Sequence, residues 1–163
     1  MFATTVRQLK QLFLIRGLPG SGKTELARAL VKRPTHQVSA NQFFYDQDGQ
    51  FRYKPALVLE SHADCLRRLE TLMQPQEYIG SPSELAVSNV FAECKDMEPY
   101  VRLANAYDYR VTVLEVQNPL RNSTTHNVPE EYIRRYMDRW ASRRDVYEML
   151  SRLSVYNTDY LPE

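Results

Sequence analysis

Gly17-Leu18-Pro19-Gly20-Ser21-Gly22-Lys23-Thr24 is the stretch that decides the reading of this chain. It matches the pattern G-x-x-x-x-G-K-[ST] at every fixed position. Glycines at these places let successive backbone N–H groups turn inward and approach a polyphosphate closely. The helix expected to follow presents its positive N-terminus to the same anion. Lys23 reaches the β- and γ-phosphates as a point charge, and the Thr24 hydroxyl is placed to ligate Mg²⁺. The binding stretch is therefore Gly17, Leu18, Pro19, Gly20, Ser21, Gly22, Lys23, Thr24 and Glu25, and the ligand expected is ATP or GTP. A chance glycine-rich turn is the competing explanation. The flanks weaken it, because an apolar run precedes the motif and a helical pattern follows it.

Working outward, Leu12-Phe13-Leu14-Ile15 reads as a buried parallel strand. Thr24 to Val31 reads as a helix with Leu26, Ala27 and Leu30 on one face, stopped by Pro34. His36 to Ser39 is a short second strand, and Asp46-Gln47-Asp48-Gly49 is a turn signal. Pro55 suits the first position of a long helix whose apolar row is Leu59, Ala63, Leu66, Leu69 and Met73. Leu85-Ala86-Val87 is a third strand, Met97 to Tyr107 a helix, and Val111 to Val116 a fourth strand. Helices follow from Pro129 to about Arg139 and from Ser142 to Leu150. Leu153-Ser154-Val155-Tyr156 is the candidate fifth strand. Strands alternating with helices predict an α/β fold: a three-layer P-loop NTPase architecture with a five-stranded parallel sheet.

The 163 residues fit one domain spanning 1–163, with no repeat, linker or low-complexity segment. The formal net charge is +1, so no global basic field argues for nucleic acid. Cys65 and Cys94 have neither disulfide-framework nor metal-ligand spacing and read as small buried apolar residues. Leu12 to Ile15 is too short for a signal core or a membrane span, so a cytoplasmic setting without membrane contact is expected.

Beyond the glycine-rich loop, most of the chain from about Leu12 to Trp140 resembles the P-loop kinases related to phage-type 5′-hydroxyl polynucleotide kinase. It is most similar to their compact ATP-binding "predicted kinase" relatives. Arg16 to Leu26 carries the most specific part of the likeness. Weaker matches are Val38 to Phe44 after the second strand, Asp48-Gly49-Gln50-Phe51, His62 to Cys65, Val87-Ser88-Asn89 at the end of the Walker B strand, and His126-Asn127-Val128-Pro129 with Ile133 and Met137. The resemblance implies a helical lid over the nucleotide at about 119–140, Mg²⁺ near Thr24 and Ser88, and an acceptor side near Asn41, Gln42, His62 and Asn89. It also exposes departures. The family usually has two aspartates where this chain has Asn41 and Gln42, the first being the expected general base. It usually has another where this chain has Ser88. An amide accepts no proton usefully near neutral pH. Asp46, Asp48 and Glu60 are alternative bases, each weighed against a plain turn or surface role.

Arg121, Arg134, Arg135, Arg139, Arg143 and Arg144 cluster in the last third. By the resemblance, lid arginines neutralise the transferring charge, and Arg121 and Arg139 are the leading candidates, followed by Arg135. A solvated face paired with Asp138 and Glu131 is the plainer explanation. Arg135, Arg139 and Arg143 share a face if the helix runs on through Ser142. Tyr132, Tyr136 and Trp140 recur at i, i+4, i+8, which suits core packing or base stacking. His62 reads as a buried histidine or a site residue. The stretch near Asn157 is a candidate base pocket.

Three functional readings stand. One is an ATP-dependent phosphotransferase acting on a hydroxyl of a nucleic-acid end or a small molecule, with Lys23, Arg121 and Arg139 as the catalytic set. The second is a nucleotide-binding pseudokinase that works through a protein partner. The third is an NTPase with water as acceptor.

Overall fold

A computed structural model describes residues 9–117 and 128–153. The elements in chain order are β1 (Lys10–Arg16), α1 (Lys23–Leu30), β2 (Gln37–Val38), α2 (Val58–Met73), β3 (Glu84–Asn89), α3 (Cys94–Ala106), β4 (Tyr109–Glu115), α4 (Glu130–Asp138) and α5 (Arg143–Leu153). Short 3₁₀ turns at Pro34–His36, Ala40–Phe44 and Pro55–Leu57 join them.

The strands form one parallel sheet in the order β2-β3-β1-β4. Leu14 of β1 lies between Val87 of β3 and Val113 of β4. Side chains alternate across β1. Leu12 and Leu14 join Leu85, Val87, Cys65, Leu69, Met97 and Val101 in the larger core under α2, α3 and α5. Ile15 turns the other way and packs with Ala27 of α1, Ala86 and Leu114. Both faces are covered, which is why β1 is almost wholly apolar at its centre. Because α1 and α3 lie on opposite faces, the connections from β1 and β3 diverge. A crevice at the carboxyl ends of those two strands is the expected ligand position in such a sheet.

The sheet has four strands among the described residues, where five were expected. The segment assigned to the fifth begins at Leu153, which closes α5, and residues 154–156 lie outside the described residues. Val146, Met149, Leu150 and Leu153 fall at helical spacing and all reach the larger core. A helical apolar row therefore overrides the short apolar run.

Two further expectations change. In α2 the buried row is Ser61, Cys65, Leu69 and Met73, while Leu59 is 84% exposed. Pro55 opens a separate 3₁₀ turn rather than the helix itself, and α2 begins at Val58. The helix also does not continue from α4 into α5. It ends at Asp138, and α5 is started afresh by a reciprocal cap in which the Ser142 N–H donates to Asp145 and the Asp145 N–H to Ser142 Oγ. Arg135 and Arg143 thus belong to different helices.

The corrected face of α2 is testable. Leu69→Ala should cost about 2–5 kcal/mol in urea unfolding, and Leu59→Ala should stay within about 0.5 kcal/mol.

Candidate functional site

The loop after β1 turns on its glycines. Gly20 and Gly22 have φ of 79° and 93°, values that a side chain resists. A Cβ on Gly17 would stand 2.5 Å from Ser21 Oγ and 3.1 Å from the Val116 carbonyl, so only glycine fits there. The Ser21 N–H donates to the Leu18 carbonyl (3.1 Å), which folds the loop back on itself. Gly22 caps α1, whose first-turn amides have no partner within the helix. The Ser21 hydroxyl is buried and has no hydrogen-bond partner among the described residues. Lys23 Nζ donates to the Leu18 carbonyl at 2.9 Å. Burial lowers its pKa to about 8, opposed by the Glu25 carboxylate. Together these are free amides, an unpaired hydroxyl and a desolvated ammonium around one concavity. That donor set fits a polyphosphate.

Arg16, immediately before this loop, is 1% exposed. Its Nε donates to the Phe91 carbonyl (3.1 Å), Nη2 to Ala92 (3.0 Å) and Nη1 to Ala141 (2.9 Å). Its guanidinium stacks on Trp140, 4.1 Å from the ring centre, and pairs with Glu115 at 3.5 Å. Trp140 Nε1 also donates to Glu115 (3.0 Å), and the Ala141 N–H donates to Ala92 (2.7 Å). One side chain thus joins the loop's root, the segment after β3, the end of β4 and the exit of α4. The sequence held a signal for it: an arginine at the end of an apolar strand must find several acceptors if it is buried.

At the carboxyl end of β3, Ser88 and Asn89 stand beside Ile15 and Arg16. Both are buried and engaged. Ser88 Oγ accepts from Gln37 Nε2 (2.8 Å), and Asn89 Oδ1 accepts from the Ala40 N–H (2.9 Å). Gln42 caps the Ala40–Phe44 turn, accepting from the Ser39 N–H (3.2 Å) and from Arg68, and donating to Gln37. Asn41 is exposed. Asp46 accepts from the Asp48 and Gln50 amides and from Arg52, so it organises a turn. His62 is exposed on α2 rather than buried. Its pKa is lowered by desolvation, with the Asp96 carboxylate opposing. The only side-chain oxygen in the loop suited to Mg²⁺ besides Ser21 is Thr24, which sits half-buried in the first turn of α1. Ser88 already serves Gln37, and no cluster of three His, Cys, Asp or Glu occurs among the described residues. This surround does not fit a resident Mg²⁺.

Arg134 and Arg135 of α4 pair with Glu130 and Glu131 one turn earlier. Arg139 donates to the Arg135 carbonyl (3.1 Å) and to Glu93 (3.3 Å) ahead of α3. Arg121 and Asn157 lie outside the described residues, as does the first part of the expected lid, including His126 and Asn127. The aromatic row divides: Trp140 stacks on Arg16, while Tyr136 is half-buried and Tyr132 is exposed. A mostly apolar pocket of about 470 Å³ opens next to the loop, lined by Leu18, Ser21, Glu115, Val116, Gln117, Met137 and Trp140.

No family model matches the chain. It is 26% identical over 137 residues to NEDD4-binding protein 2 from Homo sapiens, covering 79% of this chain and 8% of that protein. It is 29% identical over 122 residues to 2′,3′-cyclic-nucleotide 3′-phosphodiesterase from Pongo abelii, covering 72% of this chain and 26% of that protein. The chain therefore spans only a minor part of either relative. Among solved structures, it superposes on a chain of the AvrRxo1-ORF1:AvrRxo1-ORF2 complex with sulphate ions at a TM-score of 0.62 and 16% identity, covering 87% of this chain and 51% of that one. A chain of the Pnkp1/Rnl/Hen1 RNA repair complex follows at 0.51 and 13% identity, covering 99% and 49%. The mixed α/β fold with its parallel sheet is shared with these proteins. No helix among the described residues is long and apolar enough to cross a membrane.

Arg16→Ala should destabilise the protein by about 3–5 kcal/mol in urea unfolding, because Glu115 and three carbonyls lose their buried partner. Arg16→Lys should recover only part of this, since one ammonium cannot replace a planar fork that reaches three carbonyls.

Proposed function

We propose that this chain binds a nucleoside triphosphate, ATP or GTP, in the concavity formed by Gly17 to Glu25. The cradle itself carries the reading: two left-handed glycines, an orphaned buried Ser21 hydroxyl and a lysine desolvated against Leu18. Lys23 would leave the Leu18 carbonyl for the phosphates, and the amides at the start of α1 would hold the remaining oxygens. The pocket beside the loop suits the nucleobase in size and in its apolar Leu18, Val116, Met137 and Trp140 walls.

Of the uses of such binding, a nucleotide-dependent interaction module is the one the acceptor side favours. Gln42, Ser88 and Asn89 are held in structural hydrogen bonds, and Asn41 offers no base. A missing base costs about 10²- to 10⁴-fold in rate. Phosphoryl transfer to a hydroxyl acceptor remains the second reading, supported by the fold shared with the repair-complex chain and by the phosphodiesterase relative. In that case Arg139 and Arg121 of the lid would neutralise charge, and the acceptor would be a nucleic-acid end or a small molecule.

The test combines calorimetry with labelled ATP and a panel of 5′-hydroxyl oligonucleotides and nucleosides. The module reading expects binding without transfer above a Lys23→Ala control. Transfer above that control establishes the kinase reading, and free phosphate without acceptor establishes an NTPase. Absence of binding sinks all three. Lys23→Ala should weaken triphosphate binding by about 10- to 100-fold, the worth of one charge-assisted contact.

The lysine also gives binding a pH profile. In the free protein its pKa is lowered to about 8, whereas a bound anion favours the charged form. Below that value Lys23 is already protonated and affinity is flat. Above it, binding must take up a proton, so Kd should rise by about tenfold per pH unit. Calorimetry between pH 7 and pH 9 reads this directly, and a flat profile would exclude Lys23 as the phosphate contact.

A further inference from the structure

We infer that the nucleotide is gripped as a metal-free polyanion, so that triphosphate binding does not depend on Mg²⁺. This rests on the triphosphate-binding reading and concerns the same site. Three features around the loop carry it.

The first is chemical. The strand end beside the loop presents a hydroxyl and an amide, Ser88 and Asn89, where a carboxylate would be needed to recruit a small, strongly hydrated dication. The second is geometric. Both groups are already engaged, Ser88 through one of its two lone pairs. Ser88 Oγ holds Gln37 Nε2 at 2.8 Å; Asn89 is fixed between the Ala40 N–H at 2.9 Å and Cys65 Sγ at 3.8 Å. Gln37 in turn accepts from Gln42 at 3.2 Å, so breaking one contact disturbs the network that seats β2. The third is electrostatic. The charged side chain bonded to this network is Arg68, which donates to Gln42 and to the Ser39 carbonyl (2.8 Å), and its Asp64 partner (2.7 Å) lies on the same helix turn of α2. That pair is net neutral, so the surround offers a cation no uncompensated negative charge.

The carboxylates nearest the loop do not substitute. Glu115 is engaged by Arg16 and by Trp140 Nε1, and Glu25, exposed in the first turn of α1, already faces the charge of Lys23. By contrast, the anion-binding elements are complete in the chain itself: Lys23, the Ser21 hydroxyl and the helix amides. A Mg²⁺ ion carried in on the nucleotide would gain no protein carboxylate, and it would cancel charge that Lys23 and the amides are arranged to meet. The ligand class is therefore the free nucleoside triphosphate, in preference to its magnesium complex.

Calorimetric titration of the full chain with ATP, in excess MgCl₂ and in EDTA, tests this. The expected result is a Kd in EDTA equal to or tighter than that in Mg²⁺, within about threefold. A weakening of about tenfold or more in EDTA overturns the inference while leaving the triphosphate reading intact. No binding in either condition removes the triphosphate reading and the inference with it. Mn²⁺ electron paramagnetic resonance supplies an independent readout on the wild-type chain. The protein–ATP complex should hold Mn²⁺ no more tightly than free ATP does, and tighter retention overturns the inference. Ser88→Asp, if thermal melting shows it folded, should shift the preference toward the magnesium complex by about fivefold or more. A folded Ser88→Asp variant that shows no such shift counts against Ser88 as the deciding position.

Discussion

The buried guanidinium of Arg16 is the constraint on which the arrangement of this molecule turns. Taking an arginine out of water is unfavourable by several kcal/mol unless its donors and charge are met. Here three carbonyls, one carboxylate and one aromatic face meet them. Those partners come from three separate stretches of chain, so satisfying one side chain fixes their mutual positions. Gly17 follows directly, and its N–H donates to Val90 while Val116 donates back to the Arg16 carbonyl. The glycine-rich loop is therefore rooted in the same knot that fixes the exit of α4.

The second organising feature is the neutral network at the ends of β2 and β3. Gln37, Gln42, Ser88 and Asn89 satisfy one another and the adjoining backbone with little net charge. A fully satisfied polar network of this kind rigidifies its surroundings, whereas carboxylates at the same places would need a cation or a proton to be buried comfortably. The chain thus places a loop with an unpaired buried hydroxyl beside strand ends whose polar groups are neutral and already hydrogen-bonded.

Much of this was legible in the sequence. The strand Leu12 to Ile15, the glycine-rich loop and α1 follow from local chemistry, because steric demands at Gly20 and Gly22 and the strand's continuous apolar run leave little choice. The four strands emerged for the same reason. No fifth strand joins them among the described residues, where Leu153 closes a helix whose other core residues lie upstream. The face of α2 was misread because Leu59, hydrophobic by type, sits in the first turn of the helix off the buried Ser61, Cys65, Leu69 and Met73 row, and residue type alone does not say which row meets the core. Arg16 was seen as part of a motif but its role was hidden: its acceptors are backbone carbonyls more than seventy residues away, and backbone carries no sequence signature. The aromatic row broke for a related reason, because Trp140 lies past the end of α4 and answers to Arg16 instead of to its own helix.

The break between α4 and α5 has a mechanical meaning. Ala141 is pinned through both its carbonyl and its amide, to Arg16 and to Ala92. The nine residues of α4 form a short rod that ends just before that point, and its Arg134–Glu130 and Arg135–Glu131 ion pairs lie within the helix itself. At 1.5 Å per residue the rod is about 13 Å long, so a tilt of about 10° at its pinned end carries the far end by about 2 Å. Ala141 anchors the exit of α4, and the buried arginine beneath it ties that exit to the strand from which the glycine-rich loop springs.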